Sequence, residues 1–436
     1  MSVMKPSVMK PSLAILFLGA TLAAQPSSET ILSALKDRAI VNNVERMKTD
    51  DRITMYQTLV ETNDNNRHYR NLLASAYIQK VRETTDFSYL ERAARIVEGV
   101  LGEEGSNYEG LRLRSVIELE RHNFAKVAGF SREMTKIAPD DSWNWGTLGD
   151  ALMELGQYEE AAVSYQKMVS IKPDLSSYNR AAWYRFVAGD TEGALQVMKL
   201  AVGAGSGSSE STAWCLVELG NLYFKAGRLD EADRAYRTAL VVFPGYHPAY
   251  FGIGRVEMGQ GKLTAAIDSV KRAQASVPLV EYTAALQDLY ERTGKNDEAR
   301  TQAGMIDIVD KMGRAAGEKA NRNLALVYAD FDRNLERSLE LAQAELAIRQ
   351  DVYTHDALAW ALYKNKKFEE AWKASAVALK LGTPEPSFHY HAGMIAAALG
   401  KKDEAKKHLE RALALNPKFD LRQAARAESA LKELAL

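Results

Sequence analysis

Disulfides and a strong net charge are both missing from this sequence. Its 436 residues contain one cysteine, Cys215, so a framework of internal disulfides is excluded. The 56 Lys+Arg and 57 Asp+Glu leave a formal net charge of −1, which argues against bulk electrostatic binding to nucleic acid or anionic lipid. No long run of lysine or arginine occurs, and nucleic acid is not a predicted partner. We interpret Cys215 as a small, partly buried apolar residue rather than a nucleophile.

The sequence also lacks the motifs of common catalytic centres. It has no GxSxG, no Walker A loop, no CxxC and no HExxH, so we predict neither an enzymatic activity nor a cofactor. Three histidines, His355, His389 and His391, raise the question of a metal site. They lack the i, i+4 spacing of helical zinc ligands, and structural zinc usually takes four ligands. We interpret them as packing histidines and predict no metal.

An apolar stretch near the N-terminus has the features of a secretory signal. Two lysines precede residues 13–22, and this run is too short to span a bilayer comfortably. Small residues follow the run, with a possible cleavage site near Ala23 or Ala24. We therefore predict a signal peptide at 1–24 and a periplasmic or secreted mature protein with no integral membrane span. An uncleaved anchor or a disordered tail is the alternative interpretation.

Residues 142–174 carry the most informative spacing in the chain. Gly149 and Ala161 are small, which lets two helices cross at the usual distance of ~8–10 Å. Gly156 is placed to end the first helix and Pro173 to end the second. The residues at places 4, 7, 8, 15, 17, 20, 24 and 32 of this stretch are Trp145, Leu148, Gly149, Gly156, Tyr158, Ala161, Tyr165 and Pro173. The pattern resembles the tetratricopeptide repeat, a helix–turn–helix unit of about 34 residues.

The same spacing recurs along most of the chain. The alanine at place 20 returns, mostly at intervals close to one repeat length, at Ala161, Ala194, Ala232, Ala266, Ala299, Ala371 and Ala405. The long interval from Ala299 to Ala371 predicts a degenerate repeat between them. We predict an N-terminal leader and capping helix at 25–66, divergent repeats at 67–141, regular repeats at 142–300, a degenerate repeat or hinge at 301–351 with an irregular loop at 312–323, regular repeats at 352–419, and a C-terminal capping helix at 420–436.

The predicted fold class is all-α, because no β pattern competes with the helical repeats. The resemblance implies a right-handed α-solenoid of about ten tetratricopeptide units. It also implies a concave face lined by the first helix of each unit. Such an array needs no single large core, because each unit contacts only its neighbours.

The resemblance further implies which side chains face the concave surface. We define the predicted groove as Trp143, Arg180, Trp183, Trp214, Asn221, Arg255, Tyr353, Asp356, Trp360, Tyr363 and Tyr390. Aromatic residues with arginine nearby are typical of binding surfaces. The alternative interpretation is that some of these side chains pack between adjacent first helices and fill a tight superhelix.

Three polar members of the predicted groove suggest an anion site. With Asn179 and Lys225, they partly match the clamp of lysine, asparagine and arginine with which chaperone-binding tetratricopeptide proteins hold two carboxylates; the three are Arg180, Asn221 and Arg255. The match is incomplete, because Val217 and Glu218 occupy groove places 5 and 6 of their unit. A carboxylate or other anion held by the three is one hypothesis, and solvated polar positions are the alternative.

These observations favour an extracytoplasmic scaffold that binds a protein or peptide segment in the predicted groove through aromatic anchors. Two alternatives use the same groove. One is a module that binds envelope glycans by stacking aromatic rings on sugars. The other is an accessory module that positions a catalytic partner.

Overall fold

A computed structural model describes residues 47–63, 65–207, 209–315 and 317–435. The chain divides into two units, Met1–Lys48 and Thr49–Leu436, and every described helix belongs to the second. Within the described residues there are 22 helices and no strand, which confirms the all-α prediction. The predicted signal peptide at 1–24 and most of the predicted leader lie outside the described residues.

Ten helix pairs, called repeats 1 to 10, follow a first helix α1 (Thr49–Thr62) and precede a last helix α22 (Gln423–Leu434). Repeats 1 to 5 are α2/α3 (Arg67–Thr84, Ser88–Glu103), α4/α5 (Tyr108–Glu120, Phe124–Ile137), α6/α7 (Ser142–Glu154, Tyr158–Ile171), α8/α9 (Leu175–Val187, Thr191–Gly203) and α10/α11 (Glu210–Lys225, Leu229–Val242). Repeats 6 to 10 are α12/α13 (His247–Gly259, Leu263–Ser276), α14/α15 (Val280–Arg292, Asn296–Ala315), α16/α17 (Arg322–Asp330, Leu335–Leu346), α18/α19 (Val352–Lys364, Phe368–Ala378) and α20/α21 (Pro386–Ala398, Lys402–Leu415).

The small residues of the repeat allow close helix crossings, as the spacing predicts. A Cβ added at Gly149 would overlap the ring of Tyr165, and Ala161 on the second helix is fully buried. In repeats 5 and 6 the ring of Tyr236 fills the space that side chains at Gly220 and Gly252 would need. Since core packing tolerates little added volume, these positions are restricted to small residues.

The segment 301–351 departs from the predicted loop. Helix α15 continues through residue 312 to Ala315, so within the predicted loop at 312–323 only residues 317–321 of those described lie outside a helix. Asp310 explains the extension, because its buried carboxylate accepts hydrogen bonds from Arg314 (2.7 Å), Tyr328 (3.2 Å) and Arg337 (3.1 Å). These bonds join α15 to both helices of repeat 8, where the apolar spacing is weak.

The last helix begins slightly later than predicted, at Gln423 rather than at residue 420. Asp420 caps it, and its Oδ1 accepts from the backbone N–H groups of Arg422 and Gln423 at 2.7 Å each. Arg422 also bonds to Asp288 on α14 at 2.7 Å. The helix therefore covers the end of repeat 10 and is tied to repeat 7 as well.

The array folds back on itself along a line of contacts that we call the seam. It joins the turns of repeats 3, 4 and 5 (residues 154–156, 187–189 and 224–227) to the segments that follow repeats 8, 9 and 10 (349–352, 382–383 and 415–418). Three hydrogen bonds repeat along it: Gln350 N–H to Glu154 O (2.7 Å), Thr383 Oγ1 to Val187 O (2.6 Å) and Asn416 Nδ2 to Phe224 O (2.7 Å). Each bond reaches a carbonyl in the last turn of a helix, where the ladder of helical hydrogen bonds ends. The Phe224 carbonyl also accepts from the N–H of Gly227 at 3.0 Å.

Glycines at the turns let the seam close. Gly156, with φ +68°, would place a Cβ 2.5 Å from the carbonyl oxygen of Gln350, and Gly227 would place one 2.9 Å from that of Leu415. Arg349 strengthens the same contact through an ion pair with Glu154 at 2.9 Å. Because these backbone approaches leave no room for a side chain, the seam depends on glycine for space as well as for φ.

Candidate binding groove

Within the described part of the chain, two cavities are lined mainly by the first helices of the repeats. The first, of about 880 Å³, is lined mainly by the first helices of repeats 1 to 5, namely α2, α4, α6, α8 and α10. The second, of about 460 Å³, is lined by repeats 5 to 10 and by the start of α22. The first has the size of a site for a ligand or an extended peptide segment.

One aromatic layer separates the two cavities. Trp183 lines the first cavity and stacks on Tyr353, which lines the second, with 5.6 Å between ring centroids. Lys225 Nζ lies 5.5 Å from the Trp183 ring and 5.3 Å from the Tyr353 ring, and it pairs with Glu385 at 2.8 Å. This layer therefore lies between a side chain of the first cavity and a side chain of the second.

The eleven residues of the predicted groove fall into three groups. Those lining the first cavity are Trp143, Arg180, Trp183 and Trp214. Those lining the second are Arg255, Tyr353 and Asp356. Asn221, Trp360, Tyr363 and Tyr390 line neither cavity. The structure therefore divides what the sequence treats as one continuous surface.

Three members of the predicted groove are core residues, which corrects their assignment to an exposed surface. Trp360, Tyr390 and Asp356 are 1%, 0% and 3% exposed. Trp360 stacks on His391 at 4.2 Å and donates its indole N–H to Asp330 at 2.8 Å. Asp356 accepts from His391 at 2.9 Å. For these side chains the packing interpretation describes the structure, because repeats 8 to 10 are drawn close together with α22.

The predicted anion site is already occupied by the protein's own groups. Arg180 makes a bidentate pair with Asp150, at 2.8 Å from Nε and 2.7 Å from Nη2, and Tyr165 donates to the same carboxylate at 2.9 Å. Asn221 accepts from Tyr236, and Arg255 lies 4.1 Å over the ring of Phe224. An added carboxylate would compete with Asp150, so the three residues do not form a free clamp.

Sequence reasoning missed two carboxylates of the first cavity. Glu120 and Glu218 line it, and burial raises the pKa of each. The nearest hydrogen-bond donor to Glu218 is Asn221 Nδ2, at 3.1 Å. The sequence does contain a signal for Glu218, because it occupies a groove place one helical turn after Trp214. The clamp pattern treats this glutamate only as a mismatch and not as a candidate binding residue.

The histidine and cysteine predictions can be compared with the described residues. His389 lies 3.1 Å from His408 between their Nδ1 atoms, and His391 pairs with Asp356. In the described ranges no group of three or more His, Cys, Asp or Glu side chains is placed to hold a metal ion. Cys215 is fully buried, and burial raises its pKa to about 12, which keeps the thiol protonated and unreactive.

The first cavity is formed by the folded repeats themselves. Its tryptophans, Trp143, Trp183 and Trp214, are half-buried. They are carried by helices whose crossings are fixed by the packing described above, so little ordering is needed when a ligand binds. No described helix combines the length and hydrophobicity that a membrane span requires.

Comparisons with known proteins agree with the repeat architecture. Sequence models described as tetratricopeptide repeat match residues 144–175, 217–280 and 386–419. No curated protein matches the chain. Among solved structures it is similar to the APC/C hetero-tetramer Cut9-Hcn1 (17% identity, TM-score 0.49, covering 90% of this chain and 68% of that one). It is also similar to yeast Tom70 (13%, 0.38, 94% and 96%) and to MamA (22%, 0.31, 36% and 91%). At these TM-scores the similarities carry no information about partners.

Proposed function

Because the chain is a tetratricopeptide repeat protein, we propose that it is a binding scaffold that holds an extended protein segment in its first cavity. The fold is typical of protein–protein interaction modules. The proposal places the segment along the first helices of repeats 1 to 5. It gives the protein no catalytic role of its own.

The observation that supports this proposal most strongly is the composition of the first cavity. Trp143, Trp183 and Trp214 line a space of about 880 Å³ at successive places along the array. Tryptophan is enriched among the residues that dominate binding energy, because it buries a large area at little entropic cost. Repeating such anchors along a preformed surface suits an extended chain with apolar side chains at intervals.

The second cavity is less suited to hold a protein segment than the first. It is smaller, and the aromatic layer formed by Trp183 and Tyr353 separates it from the first. Most of its charged groups are bonded within the protein, as in the pairs of Lys225 with Glu385 and Arg422 with Asp288. An incoming segment would have to break these pairs, whereas in the first cavity Trp214 is half-buried and has no cation from the described residues over its ring.

We also propose that the mature protein works outside the cytoplasm, on the strength of the charged and apolar pattern that precedes Ala23. The expected result is a mature protein that begins near Gln25 and is recovered from the envelope or the medium. N-terminal sequencing of protein from fractionated cells measures this. An intact N-terminus on protein recovered from the cytoplasm would contradict it.

A peptide selection tests the binding proposal. The full chain is immobilised and used to select from displayed random peptides, in parallel with a groove variant, Trp143→Ala with Trp214→Ala. A control variant changes two exposed residues on the second helices of repeats 3 and 5, Val163→Ala with Val241→Ala. We expect peptides that bind the wild type and the control equally and bind the groove variant at least about tenfold more weakly, as the loss of tryptophan anchors predicts.

The other outcomes separate the alternatives. Peptides that bind the groove variant as well as the wild type would move the site away from the first cavity and contradict the proposal. If no peptide is selected and soluble oligosaccharides bind through the same tryptophans, the glycan-binding alternative is supported instead. If only one intact enzyme binds, through the first cavity, the accessory-module alternative is supported.

A further inference from the structure

The tryptophans of the predicted groove share a local arrangement. At three of them a cation of the protein lies over the indole ring and is paired with an acid. The three sets are Arg112 over Trp143 at 4.7 Å with Asp141 at 3.7 Å, Lys225 over Trp183 at 5.5 Å with Glu385 at 2.8 Å, and Lys364 over Trp360 at 4.8 Å with Asp332 at 2.5 Å. The cation thus lies between the negative face of the ring and a carboxylate and is attracted by both.

At the fourth tryptophan, Trp214, an acid lies near the indole ring but the cation is missing. It lines the first cavity, and no cation from the described ranges lies over its ring. Glu218, one helical turn further along α10, lines the same cavity. Residues four apart on a helix share a face, so the indole and the carboxylate are neighbours on the cavity wall.

The carboxylate of Glu218 has no ion pair within the described chain. Its hydrogen-bond donor is the neutral amide of Asn221, and burial raises its pKa above that of an ordinary glutamate. Lys225 and Arg255 are near enough to lower the pKa in part, but each is engaged elsewhere, with Glu385 and with the ring of Phe224. A partly desolvated carboxylate of this kind gains most from a directly bonded cation.

The arginines that line this part of the cavity do not supply one. Arg180 is held by Asp150, and Arg82 pairs with Glu210 at 3.1 Å. The side chains of Asp150 and Glu210 are only 25% and 3% exposed. Breaking either pair would leave a partly buried charge without its partner, so neither arginine is free to move over Trp214. The cationic place over Trp214 therefore stays unfilled by the protein's own side chains.

We propose that Trp214 and Glu218 form a subsite for an arginine or lysine side chain of the bound segment. The cation stacks on the indole and bonds to the carboxylate, completing at Trp214 the arrangement that the protein completes for itself at the other three tryptophans. Guanidinium suits the place best, because it is planar and can stack and donate at the same time. The inference rests on the proposed function, and it specifies that the segment carries a basic residue near repeat 5.

A matched pair of peptides tests the subsite. The probes are an acetylated and amidated peptide of three Gly-Arg repeats and the same peptide with citrulline, which has the shape of arginine without its charge. Binding to the full chain is measured by titration calorimetry at low ionic strength, where surface screening is weakest. We expect the arginine peptide to bind at least about tenfold more tightly than the citrulline peptide.

Variants assign the effect to the site. Glu218→Gln keeps an acceptor for Asn221 and removes the charge, while Trp214→Leu removes the ring. Each should weaken binding of the arginine peptide about tenfold. Glu159→Gln, an exposed acid on α7, is the matched control and should leave binding unchanged. Since a cation lowers the raised pKa of Glu218, binding measured across a series of mildly acidic pH values should release protons in the wild type and fewer in Glu218→Gln.

Two results would overturn the subsite. One is equal binding of the arginine and citrulline peptides, and the other is equal binding of the arginine peptide to wild type and Glu218→Gln. The outcomes also separate this inference from the proposed function. Selected peptides that depend on Trp143 and Trp214 but not on Glu218 would uphold the scaffold and reject the basic subsite. A Glu218-dependent arginine peptide with no selected segment would uphold the subsite and reject the scaffold role.

Discussion

Repeats 3 to 5 and repeats 9 and 10 both carry large aromatic residues of the predicted groove on their first helices, with opposite results. In the first region Trp143 and Trp214 are half-buried and line an open cavity. In the second, Trp360 and Tyr390 are almost completely buried. An aromatic side chain on the first helix of a repeat can therefore line a cavity or belong to the core, and its exposure depends on what the rest of the array packs against it.

The largest expected effect comes from removing the buried tryptophan. Trp360→Ala deletes a ring that stacks on His391 and Tyr363 and donates to Asp330, so we expect a loss of about 3–5 kcal/mol in the free energy of unfolding. Trp214→Ala, in the open region, should cost no more than about 2 kcal/mol. Urea unfolding followed by circular dichroism measures both. Equal losses would mean that the two regions do not differ in the way described.

The seam gives the next largest effect, and two glycines isolate it. Gly156→Ala and Gly261→Ala both put a side chain at a turn with a positive φ, at φ +68° and +74°. The strain of that conformation, about 1–2 kcal/mol, should be common to both. Only Gly156 faces the seam, where its Cβ would meet Gln350 O at 2.5 Å, while the Cβ at Gly261 would have nothing within 4 Å.

We therefore expect Gly156→Ala to cost about 1–3 kcal/mol more than Gly261→Ala in urea unfolding, the usual penalty for overpacking. Small-angle scattering supplies a second readout, because a seam that opens to relieve the contact should increase the radius of gyration of the Gly156→Ala protein alone. Identical unfolding and scattering for the two variants would show that the seam is not a tight contact.

The smallest expected effect is a difference in pH dependence. Burial raises the pKa of Asp330 to about 6. Trp360 and Gln423 donate hydrogen bonds to its carboxylate. The titratable groups around it are His391, Asp356 and Asp420. A raised carboxyl pKa means that the native state holds more protons than the unfolded state between about pH 4 and pH 6. This group's contribution to stability should therefore improve as the pH falls through that range.

Asp330→Asn keeps an acceptor for both donors and removes the titration. Relative to this variant, the wild type should gain about 1–2 kcal/mol in unfolding free energy between about pH 7 and pH 4, which is less than the full shift implies because the carboxyl is half-buried. The comparison is made by urea unfolding at each pH, so that the other acids cancel. A constant difference between the two proteins would exclude a raised pKa at Asp330.

The repeats themselves could be predicted from sequence because their cause is local. Gly149, Ala161 and Tyr165 lie within a single helix–turn–helix unit, and the helix crossing that they allow needs nothing from outside it. The same holds for Gly156, whose place after a helix predicts its positive φ. Repetition then makes the signal strong, since ten pairs of helices carry it in varying degree.

The site could be predicted only in part, because its boundaries are set by contacts across the array. Trp183 meets Tyr353 although the two lie in repeats 4 and 9, and nothing within either unit indicates that they touch. The division of the predicted groove into two cavities and a core follows from that contact. Asp150 likewise occupies Arg180 from the preceding repeat, a pairing that the clamp pattern does not include.

The seam also limits how the number of repeats in the array can change. Its three donors lie in the segments that follow repeats 8, 9 and 10, and they are Gln350, Thr383 and Asn416. They bond in the same order to the turns of repeats 3, 4 and 5. Duplicating or deleting one repeat between residues 227 and 349 would change the number of repeats between the two sides of the seam. All three hydrogen bonds would then lose their alignment at once. A unit added before repeat 1 would disturb none of them. Gain and loss of repeats during evolution should therefore be tolerated at the amino-terminal end and excluded from the middle of the array.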